Sequence, residues 1–85
     1  MSPQDTITHE VRAIVARIGE LDPSEVTGEA RLADDLAFDS LQLIELAATI
    51  EERFAIGRVD ETAVLDIVTV HDVESLVARL AEAAR

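Results

Sequence analysis

Aliphatic residues recur at intervals of three and four in three separate stretches of this 85-residue chain, and that period belongs to amphipathic helices. The first stripe is Ile7, Val11, Ile14, Val15 and Ile18, inside the segment from Ser2 to Ile18. Pro3 suits its first turn and Gly19 suits a C-terminal cap. The second stripe, Leu43, Leu46, Ala47, Ile50 and Phe54, opens at Asp39 and stops before Gly57. The third is Val70, Val73, Leu76, Val77 and Leu80, with Thr69 as N-cap and Asp72 three residues on. A short candidate from about Asp60 to Leu65 is too brief to stand without packing. The expected fold is all-α, an antiparallel-leaning four-helix bundle with a long first loop and a short third helix. A chain of this length is expected to be one domain, residues 1–85, burying about 60–65% of the surface its unfolded form exposes.

The stretch from Glu20 to Phe38 breaks the pattern. Asp22-Pro23-Ser24-Glu25 reads as one capped turn, and the rest has no period. A loop that long in so small a domain counts against the assignment or signals function. Val26, Leu32, Leu36 and Phe38 are the apolar residues that could pin it to the bundle. No repeat, low-complexity tract or Gly/Ser linker suggests an internal boundary.

Charge narrows the range of partners. Eighteen acidic side chains against seven arginines and no lysine give a formal net charge of −11. Without a basic stripe such a chain is repelled by nucleic acids and by anionic membrane surfaces. Its 48% hydrophobic content is too high for disorder, and with 2% aromatics the core must be aliphatic. No apolar run approaches the roughly 20 residues that span a bilayer, and no basic-then-apolar signal pattern opens the chain. The absence of cysteine removes a disulfide framework, a thiolate metal site and a cysteine nucleophile. A monomeric cytoplasmic protein docking on basic patches is the expectation.

Catalytic patterns are missing. Ser40 has no flanking glycine elbow, and His9 and His71 fall on polar helix positions. Asp34 and Asp35 lack a glycine-centred calcium loop, and Gly19, Gly28 and Gly57 stand alone, so no phosphate-cradling loop forms. Neither an enzyme nor a metal site is expected. One segment stands out, Asp34-Asp35-Leu36-Ala37-Phe38-Asp39-Ser40-Leu41. Asp39 is a good N-cap, and Gln42 completes a capping box. Ser40 would then lie exposed at the positive pole of a helix, where an attached phosphate is favoured. Leu41 falls outside the apolar stripe and should be exposed beside it. The residues alone make a recognition surface around Ser40 plausible, and they leave open a non-covalent acidic docking module and a small serine hydrolase.

The run Asp35-Leu36-Ala37-Phe38-Asp39-Ser40-Leu41, followed by Ile44-Glu45-Leu46 and Ile50-Glu51-Glu52-Arg53-Phe54, resembles the acyl carrier proteins. The resemblance extends over nearly the whole chain, including Val26-Thr27 and Leu32 in the long loop and Thr69-Val70 at the last helix. It implies that a phosphopantetheinyl transferase attaches a 4'-phosphopantetheine arm from coenzyme A to Ser40. The arm's thiol would carry acyl groups as thioesters, the protein having no catalysis of its own. It further implies docking of ketosynthases, acyltransferases and other acyl-processing enzymes, through basic patches, on Asp35, Asp39, Leu41, Glu45, Glu51 and Glu52. Carriers of this kind can shelter cargo between their helices; an aliphatic bundle suits that and suits a filled core equally. Gln42 replaces an acidic residue common in fatty-acid carriers, Arg53 interrupts the acidic run, and Ala37-Phe38 resembles the lead-in of polyketide carriers. A discrete carrier in polyketide-type synthesis is the expectation, with fatty-acid synthesis as the alternative.

Overall fold

The computed structural model describes residues 3–57, 59 and 61–83. Helices α1 (Pro3–Gly19), α2 (Ser40–Phe54), α3 (Glu61–Leu65) and α4 (Val70–Ala83) follow in order, with a single 3₁₀ turn at Pro23–Glu25. The expected all-α bundle with a long first loop and a short third helix is the architecture observed. Asp60, the expected start of the third helix, and Arg58 lie outside the described residues.

Helix α1 packs on both α2 and α4, and α2 also touches α4. Arg53 near the end of α2 pairs with Glu10 in mid-α1, while Phe38, just before α2, packs beside Gly19 at the end of α1. The two helices therefore run in opposite directions. Each stripe supplies the core: Val11, Ile14 and Val15 from α1, Leu46 and Ile50 from α2, and Val70, Val73 and Val77 from α4. The long loop adds Val26, Ala30, Leu32, Leu36 and Phe38, all buried. Nearly one-third of the core thus comes from a segment without regular structure, which is why so long a loop stays ordered.

Backbone hydrogen bonds hold this loop as well. Leu32 N–H donates to Val68 C=O at 2.9 Å, Val70 N–H to Ala30 C=O at 3.0 Å and His71 N–H to Gly28 C=O at 2.9 Å. Arg31 and Thr69 face each other as an antiparallel bridge between these contacts. Loop residues 28–32 are thereby laid against the entry to α4.

The end of α1 differs from the expected glycine cap. The left-handed residue is Glu20, with φ 53°, not Gly19. Leu21 N–H reaches Ala16 C=O at 2.8 Å and Glu20 N–H reaches Arg17 C=O at 3.3 Å, the paired bonds of a Schellman motif. Gly19 is small for another reason: a Cβ there would stand 2.8 Å from both Leu21 Cδ1 and Phe38 Cε1. It makes room for Phe38, two residues before the serine.

Candidate functional site

Ser40 is the first residue of α2 and is exposed. The turn before it aims it outward. Asp35 and Leu36 N–H both donate to Arg31 C=O, and Phe38 N–H donates to Leu32 C=O at 2.9 Å. Ala37 takes a left-handed φ of 59°, a conformation disfavoured for any residue with a Cβ. That reversal sends Phe38 into the core and leaves Asp39 and Ser40 on the surface.

The expected capping box is present. Asp39 Oδ1 accepts Gln42 N–H at 2.8 Å, and Gln42 Oε1 accepts Asp39 N–H at 3.1 Å. Asp39 is thus occupied in starting the helix. Ser40 lies at the positive end of the α2 dipole, where a negative group is electrostatically favoured. Gly57, Ala55 and the loop after α2 lie at the opposite end of the helix.

Leu41 is 73% exposed and Ile44 64% exposed, one turn apart on the same face as the serine's end of α2. Ile44, part of the motif above but not among the expected docking residues, also falls outside the stripe of Leu43, Leu46, Ala47 and Ile50, and that offset is the signal of its exposure. Val68, 52% exposed, lines with Leu32, Leu43 and Ile67 a pocket of about 120 Å³ rimmed by Arg31 and Asp34.

The acidic candidates are placed differently from one another. Glu45 and Glu52 are exposed on α2. Asp35 is exposed too, but its Oδ2 accepts Arg31 N–H at 2.8 Å and so closes a local turn. Glu51 is half-buried, and its carboxylate accepts the Val59 N–H, tying the loop after α2 back to the helix. The histidines lie elsewhere, both exposed, with His71 Nδ1 3.7 Å from Glu74 Oε1 on α4.

Two carboxyls elsewhere are held below the ordinary aspartate range. Asp72 is lowered chiefly by the Thr69 N–H and then by that of Val68, both donating to Oδ2 at 3.0 Å. Asp22, the cap of the 3₁₀ turn, is lowered by the backbone N–H and hydroxyl of Ser24, each 2.9 Å from Oδ1.

Residues 9–80 match the phosphopantetheine attachment site family, and the chain belongs to that family. The acyl carrier protein of Thermotoga maritima is 35% identical over 79 residues, spanning 93% of this chain and 96% of that one. The meromycolate extension acyl carrier protein of Mycobacterium tuberculosis is 32% identical over 79 residues, covering 93% of this chain and 68% of its own length. A solved structure from Mycobacterium tuberculosis described as an acyl carrier protein superposes with a TM-score of 0.80 at 33% identity, covering 86% of this chain and 96% of that one. Within the family the function is that of an acyl carrier protein, and its cofactor is covalently attached phosphopantetheine. Acyl carriers receive that group from a phosphopantetheinyl transferase and work with acyl-processing enzymes. Among the described residues no helix is long and apolar enough to cross a membrane.

Proposed function

We propose that Ser40 is the attachment point and that the chain, without catalysis of its own, presents acyl thioesters to partner enzymes in polyketide-type synthesis. The observation that carries the first part is the capped, exposed serine at the head of a 15-residue helix with two exposed aliphatic residues beside it. The residues fit the group: the serine is exposed, the positive end of the helix dipole favours a phosphodiester there, and the adjacent Asp39 carboxylate is engaged in the cap. When bound, the arm supplies a thiol that holds the acyl group as a thioester.

The chain's own residues do the rest. Asp39 starts the helix and so fixes where the hydroxyl points. Leu41 and Ile44 offer apolar contact to the transferase and to later partners. Glu45 and Glu52, with Asp35 at the edge, attract basic patches and set orientation and encounter rate more than final affinity. Glu51 contributes charge to that face while its carboxylate holds the Val59 amide. The pathway reading rests on Gln42, Arg53 and the Ala37-Phe38 lead-in.

Incubation with coenzyme A and a promiscuous phosphopantetheinyl transferase should add one phosphopantetheine to the intact mass, and Ser40→Ala should add none. Gain by the alanine variant would move the attachment elsewhere. For the pathway, the holo protein is offered to ketosynthases of the polyketide and the fatty-acid type, the first being expected to elongate faster. The reverse order would return the chain to fatty-acid synthesis.

A further inference from the structure

Glu74 is only 3% exposed, yet it is a carboxylate on the apolar face of α4, in helical register with Val70 and Val77. Acyl carriage as described above makes no use of it. Burying a charge is unfavourable unless its partners are well placed, so the partners show what the site accomplishes. Oε2 accepts from Arg12 Nε of α1 at 2.8 Å, and Oε1 lies 3.7 Å from His71 Nδ1. The guanidinium so held lies against Gly28 of the long loop: a Cβ there would meet Arg12 Nη2 at 3.2 Å and His71 Cβ at 3.8 Å. His71 N–H donates to the same Gly28 through its carbonyl at 2.9 Å.

From Gly28 the contacts continue toward the serine. Ala30 C=O accepts Val70 N–H, Leu32 N–H donates to Val68 C=O, and Leu32 C=O in turn accepts Phe38 N–H. Phe38 is followed directly by the Asp39 cap and Ser40. A contiguous set of ionic and backbone contacts therefore joins the buried carboxylate to the first turn of α2.

We propose that Glu74 is a positioning residue for the modification of Ser40. With Arg12 and His71 it forms a clasp that sets the register of loop 28–38 on α4, and through it the place where α2 presents its hydroxyl. The inference rests on Ser40 being the attachment site.

The test uses Arg12→Met combined with Glu74→Leu, which removes both charges together, so that neither is left unpaired, and keeps apolar bulk at the buried Glu74 position. Two quantities are measured on the full chain: amide hydrogen exchange at Leu32, Phe38 and His71, and steady-state phosphopantetheinylation with coenzyme A. Exchange at these amides should rise about 3- to 30-fold, the range expected for such couplings, while protection inside α1 and α4 is kept. The kcat for modification should fall by a similar factor with an unchanged KM for the carrier, because Leu41, Ile44 and Glu45 are untouched. A wild-type exchange pattern overturns the proposal, and so does raised exchange with unchanged kcat. If the double variant does not fold, Glu74→Gln, nearly the same shape without the charge, is read by the same two measurements. Should the wild type itself remain unmodified, the attachment reading fails, and the exchange data still decide whether the clasp registers the loop.

Discussion

Helices α2 and α4 begin with the same device and put it to opposite uses. In α2, Asp39 and Gln42 exchange backbone and side-chain bonds at 2.8 and 3.1 Å. In α4, Thr69 Oγ1 accepts Asp72 N–H at 3.1 Å while Asp72 Oδ2 accepts Thr69 N–H at 3.0 Å. Yet the first helical residue is an exposed serine in one case and Val70, with 0% exposure, in the other. The long loop makes the difference. It lies against the start of α4, where Ala30 C=O takes the Val70 N–H, and then turns through left-handed Ala37 so that α2 starts in the open. The local capping code specifies where a helix begins; the tertiary strap decides whether that beginning is packed or open.

The largest effect should come from exchanging those two environments. Val70→Ala removes two buried carbons at the strapped start and should lower the unfolding free energy by about 1–3 kcal/mol. Ser40→Ala, at the open start, should change it by less than about 0.5 kcal/mol. Urea unfolding of the apo proteins reads both, and equal losses would mean that α2 starts in a packed environment after all. Next come the caps. Asp39→Ala and Thr69→Ala should each cost about 0.5–2 kcal/mol, but only the Asp39 variant should slow modification of Ser40. Equal slowing by both would place the serine under control of global stability instead of local geometry.

Acid should weaken the start of α4 through Asp72. Asp72 is held ionised in the folded state by the Thr69 and Val68 amides, so its folded pKa lies below its unfolded one. Its contribution is complete above the ordinary aspartate value of about 3.9 and is lost as pH falls through the lower folded value. Asp72→Asn should therefore flatten the fall in urea midpoint between about pH 4 and about pH 2. An unchanged slope would show that other carboxylates dominate acid unfolding.

Much of this was legible in the chain. The stripes gave the helices, Asp39 with Gln42 and Thr69 with Asp72 gave their starts, and Val26, Leu32, Leu36 and Phe38 were recognisable as anchors of an aperiodic loop. The rest depends on contacts distant in sequence. The ladder between residues 28–32 and 68–71 is made by backbone groups that every residue owns, so no side-chain pattern announces it. Gly19 reads as a cap by position, but its smallness serves Phe38, nineteen residues on. Glu74 sits inside an apolar stripe, a visible anomaly, yet its partner Arg12 is 62 residues away and on another helix. Glu51 reads in sequence as one more surface charge on α2, and only the fold shows its carboxylate accepting the Val59 amide.

The smallest stability effect and the sharpest test of the open start concern charge. Glu45 is exposed one turn beyond Leu41, on the helix that carries the serine, whereas Glu82 is exposed near the far end of α4. Glu45→Lys and Glu82→Lys change the net charge identically, and each should alter stability by less than about 0.5 kcal/mol. At low ionic strength only Glu45→Lys should slow phosphopantetheinylation, because a basic partner approaching α2 meets the reversed charge at short range. The deficit should shrink as salt is raised, since at physiological ionic strength screening already acts over about 8 Å. Equal slowing by both variants would mean that partners respond to the overall charge of −11, and that the exposed face of α2 confers no orientation of its own.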